Sequence, residues 1–168
     1  MLKWLGSSLF FLGLLTAVVL LFLPFHKGLW IVSTNGKEVV LCAEMEEGEE
    51  FVLSFIHSVN KRPVYDTLRV EGDHLLISKS RYDSFGAGMP ETSTETSELK
   101  IGNDGWLELT VNRRVPEILL FVGRVANHSL SLKGRQVALA DVAKPGTSLS
   151  IKVRSASFFE IWKGRCLR

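Results

Sequence analysis

The chain predicts an all-β domain, a sandwich or partly open barrel of short antiparallel strands, preceded by one N-terminal transmembrane helix. Three observations carry this reading. A single uncharged apolar run stands near the start. Beyond it, apolar runs of five to eight residues alternate with clusters of turn residues. No segment after residue 28 sustains a 3.6-residue period. The chain therefore divides into residues 1–28, a signal anchor, and residues 29–168, an extracytoplasmic all-β domain.

The anchor comes first. Residues 4–25, "WLGSSLFFLGLLTAVVLLFLPF", carry no charge. At about 1.5 Å per residue they cover roughly 33 Å, enough for a hydrocarbon core of about 30 Å. A helix satisfies its own backbone polar groups, so lipid accepts it. Trp4 and Trp30 bracket the run as interface anchors. A cleaved signal peptide has an apolar core of about 7–15 residues and ends in a small-x-small site. This run is longer, and "PFHKGLW" follows it, so an uncleaved anchor is expected. The amino terminus and Lys3 before the run, against Lys27 after it, lean toward an inside amino terminus with the domain outside the cytoplasm.

The strands follow. "LWIVS" (29–33) and "EVVLCA" (38–43) flank Asn35-Gly36, a hairpin signal. "EFVLSFI" (50–56), "VYDTLRV" (64–70), "HLLISKS" (74–80), "WLELTVN" (106–112), "ILLFVGRV" (118–125), "LSLKG" (130–134), "QVALA" (136–140), "SLSIKV" (148–153) and "FFEIW" (158–162) read as further strands. "EGD", "GNDG", "KG" and "KPG" separate them as turns. "WLELTVN" alternates cleanly, with Trp106, Glu108 and Thr110 on one face and Leu107, Leu109 and Val111 on the other. Residues 86–105 form the longest stretch without periodicity, and long loops in compact domains are often functional.

Composition narrows the function. Of 168 residues, 46% are hydrophobic and 23% charged, which supports a packed core. Residues 37–112 carry 7 Lys/Arg against 15 Asp/Glu, and residues 113–168 carry 11 against 3. Either the two halves neutralise one another as neighbouring strands, or the second presents a basic docking face. The basic residues are scattered singly through strand-like segments, so a nucleic-acid surface is not expected. Cys42 and Cys166 are the two cysteines. They either bridge the first strands to the C-terminal segment or remain two unrelated buried thiols.

Three polar stretches are candidate sites. In "SFIHSVNKRPVYD" (54–66), His57 and Ser58 sit near a strand end, and Pro63 disfavours helix at Arg62. "RYDSFGAGMPE" (81–91) supplies Arg81, Tyr82, Asp83, Ser84, Phe85, Gly86, Gly88, Met89, Pro90 and Glu91. "RVANHS" (124–129) supplies Asn127 and His128, and "NHS" matches the glycosylation acceptor pattern. His57 and Ser84, with Asp66 or Asp83, have the residue types of a catalytic triad. Ser84 lacks the Gly-x-Ser-x-Gly setting, because "DSFGA" misses the first glycine. "FGAGMP" lacks the Gly-Lys-Ser/Thr of a phosphate loop, so nucleotide binding is not expected. His57, His74 and His128 have no metal-ligand spacing, and neither metal nor cofactor is expected. The glycines read as a bent turn after a strand, with positive φ at Gly86 or Gly88, packed by Phe85 and Met89.

"FIHSVNKRPVYD", then "RYDSFGAGMPE", then "NHSL" resembles a bacterial family of domains of unknown function, DUF1850, over roughly residues 38–135. The resemblance implies one membrane segment, a small extracytoplasmic domain, and association with TRAP transporters of the TAXI class, which move small solutes on ion gradients with a separate solute-binding protein. It brings no catalytic residues. The expected function is a membrane-anchored accessory domain in the bacterial cytoplasmic membrane, binding a TRAP permease, a solute-binding protein or a solute. The alternative is a small hydrolase using His57 with Ser84 or a carboxylate.

Overall fold

The computed structural model describes residues 2–86, 88–164 and 166–168, with residues 2–11 described in backbone alone. The elements are α1 (Leu2–Phe22), β1 (His26–Ser33), β2 (Val39–Glu44), β3 (Glu50–Ile56), β4 (Pro63–Glu71), β5 (His74–Tyr82), β6 (Glu98–Ile101), β7 (Leu107–Val115), β8 (Glu117–Phe121), β9 (Ser129–Leu132), β10 (Arg135–Ala138), α2 (Leu139–Val142), β11 (Ser148–Ala156) and α3 (Phe158–Gly164). Two antiparallel sheets form a sandwich. One runs β2-β1-β11-β8 and the other β10-β9-β3-β4-β5-β7-β6.

Period-two alternation builds the core between the sheets. Leu29 and Ile31 of β1 and Leu149, Ile151 and Val153 of β11 face Phe51 and Leu53 of β3, Leu68 and Val70 of β4, and Leu75 of β5. Burying each such side chain contributes about 1.5–3 kcal/mol. The pairing of β1 with β11 runs from His26↔Ala156 to Ser33↔Leu149 and ties the two ends of the domain together. The Cys42–Cys166 disulfide, with Cα atoms 4.6 Å apart, fastens the C-terminal segment to β2.

The larger sheet extends beyond its partner. Phe55, Val64, Tyr82 and Leu107 lie in one row across β3, β4, β5 and β7. Val64, Tyr82, Leu107 and Leu109 form a second buried cluster, with Phe55, Met89, Leu99 and Val111 packed against it. Unbroken alternation along β5 would turn either Leu75 and Ile77 or Ser80 and Tyr82 outward. A register shift between Ile77 and Lys79 removes the conflict and lets both pairs face inward.

Two expectations are corrected and a third is met. "FFEIW" is helix α3. Ser157 and Glu160 form a reciprocal capping box: Ser157 N donates to Glu160 Oε2 at 2.9 Å, and Glu160 N donates to Ser157 Oγ at 3.2 Å. A strand, β6, forms inside the stretch expected to be loop, because Glu98–Ile101 pairs with β7. The β1–β2 hairpin forms, but its left-handed residue is Lys37 (φ 53), and Ser33 N closes the loop on Glu38 O at 2.8 Å. The Lys133-Gly134 turn joins β9 to β10 with both residues at positive φ, 51 and 68, as a tight hairpin requires.

Helix α1 is apolar on every side over residues 12–22, and Leu12, Leu15, Val18, Val19 and Phe22 are all exposed. Among the described residues no helix is long and apolar enough to cross a membrane. The expected span, residues 4–25, falls partly on residues whose side chains lie outside the description.

Candidate binding groove and the clustered loops

The outward face of the larger sheet carries a concave groove of about 800 Å³. Alternation places its residues. Tyr65, Arg81 and Glu108 form one outward row across β4, β5 and β7, and Thr67 and Lys79 part of the next. The β6–β7 turn closes one end: Gly102 N donates to Trp106 O at 2.7 Å and Gly105 N to Gly102 O at 2.9 Å, and the turn presents Asp104. Tyr65 and Trp106 stack at 5.7 Å between ring centroids, tilted by 53°. The Arg81 guanidinium lies 4.9 Å from the Trp106 ring centre and also pairs with Asp104. Lys79 pairs with Glu108 at 3.1 Å, and Lys100 lines the same groove.

These interactions set the chemistry that the groove offers. An aromatic pair supplies flat apolar area, and Arg81 is held over it by an ion pair and a cation–π contact. Two lysines and two carboxylates offer hydrogen bonds and charge of both signs. Tyr65 and Thr67 are the two hydroxyls among the lining residues.

The three polar stretches from the sequence gather at one end of this sheet. Ile56 N donates to Ala126 O at 2.7 Å, drawing the 124–129 stretch against the end of β3. His57 heads the β3–β4 turn: its N donates to Arg62 O at 2.8 Å, and its Nδ1 accepts from Val59 N at 3.3 Å. Ser58 is exposed, with its carbonyl accepting from Lys61 Nζ at 2.5 Å. Arg62 grips Asp83 through two nitrogens, Nε reaching Oδ1 at 3.0 Å. That hydrogen bond holds the Asp83 carboxyl below its usual pKa. Asn60 Nδ2 reaches Ser84 O at 3.5 Å.

The glycine loop then folds over the second cluster. Gly88 takes φ 84 and Met89 N closes the turn on Gly86 O at 2.9 Å. Gly86 packs so tightly that a Cβ there would stand 2.9 Å from Asn60 Nδ2. Met89 packs on Val64, Tyr82 and Leu107, whereas Phe85 is 46% exposed. The expected packing by Phe85 is therefore not made. Tyr82 is 1% exposed, and its hydroxyl donates to Pro90 O at 2.6 Å, pinning the loop from beneath. Burial raises its pKa. Glu91 and Asn127 (φ 47) are exposed. The half-buried His128 ring lies 5.9 Å from Phe55, and its Nδ1 has no hydrogen-bond partner among the described residues. Burial lowers its pKa.

The expected edge thus divides. Arg81 joins the groove on one face, while Tyr82 and Met89 belong to packing on the other. Ser84 Oγ donates to Phe85 O at 3.0 Å. Among the described residues no hydrogen bond joins His57 to Ser84, Asp83, Asp66 or Glu91, and no His, Cys, Asp or Glu cluster could hold a metal.

Residues 51–139 match the family described as Domain of unknown function (DUF1850), more than half of the chain. The chain belongs to the DUF1850 family. No curated protein and no solved structure matches it. The DUF1850 match begins on β3 and ends at the first residue of α2, so every groove residue from Val52 to Glu108 lies inside it.

Tyr65, Lys79, Lys100, Asp104, Trp106 and Glu108 are the DUF1850 groove residues that motif reasoning passed over. The signal was present in alternation: Trp106 and Glu108 share the polar face of "WLELTVN", and Tyr65 shares its face with Thr67. Tyr and Trp are enriched in binding surfaces, so aromatic residues on the solvent face of strands are the signal to follow. Only the register of β4, β5 and β7 brings Tyr65, Arg81 and Trp106 together.

Proposed function

We propose that this protein is a membrane-anchored accessory domain that binds a protein or solute through the Tyr65–Arg81–Trp106 groove, in the service of a TAXI-type TRAP transporter. One observation carries the binding role: a groove of about 800 Å³ is lined by an aromatic pair and an ion-paired arginine. Such a preorganised cation and flat apolar area favour recognition of a partner side chain or a small carboxylate. The transporter assignment rests on the resemblance carried by the His-Ser and Gly-Ala-Gly-Met-Pro stretches.

In this reading α1 is the anchor in the bacterial cytoplasmic membrane, and the β domain lies outside the cytoplasm. The uncharged run of residues 4–25 and the all-round apolar surface of residues 12–22 support a lipid environment. The Cys42–Cys166 bridge supports an oxidising compartment. The test is genetic and biochemical together. Deletion is expected to lower solute uptake, and the Trp106→Ala chain is expected not to restore it. Unchanged uptake after deletion, with no transporter subunit retained by the tagged chain, would overturn the proposal.

A further inference from the structure

We propose that α3 is a second membrane contact: a short aromatic helix seated in the interfacial zone of the bilayer at the point where α1 leaves it. The inference rests on the anchoring part of the proposed function and adds the surface by which the β domain meets lipid.

α3 has two different faces. Ile161, 2% exposed, packs inward with Trp30, Cys42 and Ala156. Phe158, Phe159 and Trp162 point away from the sandwich, and Trp162 is 66% exposed. The outward side chains continue the surface of α1. The Phe159 ring stands 5.1 Å from that of Phe22, the last residue of α1, and 6.3 Å from Trp162. Leu21, Phe158, Phe159 and Trp162 line one apolar hollow of about 270 Å³. Phe25, in the link to β1, is exposed beside them in sequence.

Water is a poor solvent for such a patch. The occupant that fits is the bilayer interface, because the patch begins where the uniformly apolar helix ends. Trp favours that zone, with its ring at headgroup level, and Phe joins Trp on the apolar face of interfacial helices. The cations agree. Lys163 lies in the last turn of α3, placed to meet anionic headgroups, and the Arg168 guanidinium, which also pairs with Glu44, sits 5.4 Å from the Phe158 ring. The seat is also rigid. The disulfide holds Cys166 on β2, Leu167 N donates to Cys42 O at 2.9 Å, and Glu44 N donates to Leu167 O at 2.8 Å. A helix fastened at both ends fixes the tilt of the domain above the membrane.

The test uses the full chain in vesicles of phosphatidylethanolamine and phosphatidylglycerol, with or without bromine on the upper acyl chain. Two variants are compared: Trp4→Phe with Trp106→Phe, which keeps Trp30 and Trp162, and the same chain with Trp162→Phe added. Flotation with the vesicles reports anchoring, and absence of free thiol reports the folded, bridged domain. The expected result is loss of emission to brominated lipid in the first variant and much smaller loss in the second. Equal quenching in two floating, bridged variants overturns the interfacial seat while leaving anchoring intact, and is the outcome if another protein covers the patch. Failure of both to float overturns anchoring and the inference with it.

Discussion

Asp66 shows how one residue records the architecture. It lies in the row Leu53, Asp66, Ser80, Leu109, on the core-facing side of the larger sheet between two apolar clusters. Burial raises its pKa, against the opposing effects of the Ser80 hydroxyl, which donates to it, and the nearby Arg113 charge. The folded state therefore holds this proton more tightly than the unfolded chain. Stability should fall as pH rises from the ordinary carboxylate value of about 3.9 through the raised one. Asp66→Asn should remove that part of the slope and be most stabilising, relative to the natural chain, above the window; urea unfolding across a pH series reads this. Gly86 is the second residue with a defined cost. Gly86→Ala would displace the Asn60 amide and its contact with Ser84 O, for a loss of about 1 kcal/mol, measurable by the same unfolding. The glycine turn was legible in "GAGMP", and the structure puts the left-handed position at Gly88. That Tyr82 anchors it from below was not, because "RYD" alone does not say which of three adjacent residues faces inward.

At the scale of elements, α3 and its bridge decide how the C-terminal segment is held. Ser157→Ala removes one half of the capping box and should cost about 1 kcal/mol. Cys166→Ser opens a link across 124 residues of sequence and should cost about 2–5 kcal/mol. Thermal unfolding of each variant beside the natural chain checks both, with the larger fall in Tm for the cysteine. Most strands were legible because alternation and turn residues agree, as in β3, read as 50–56 and found at Glu50–Ile56. α3 was misread because its four apolar and aromatic residues, Phe158, Phe159, Ile161 and Trp162, favour a strand by composition. The information that decides it, Ser157 three residues before Glu160, is a capping signal rather than a periodicity. β6 was missed because four residues are too few to show a period, and its pairing with β7 is what orders it.

For the whole molecule, part of the charge asymmetry is neutralised between the two halves. Arg114 pairs with Glu71, Lys133 with Glu49 and Arg168 with Glu44, across the acidic and basic halves. The groove, by contrast, holds its own pairs within the acidic half. The sandwich class followed from strand count and turns, whereas the groove needed register, since its residues come from four separated stretches. Trp106 lines the groove and is not one of the core clusters, so Trp106→Ala should leave Tm within a few degrees while abolishing partner binding. The most direct measurement is co-purification of the tagged full chain, natural or Trp106→Ala, from bacterial membranes containing a TAXI-type TRAP transporter. The expected result is retention of a permease subunit or the solute-binding protein by the natural chain and its loss with Trp106→Ala. Retention by neither chain, or equally by both, would contradict a binding role for the groove.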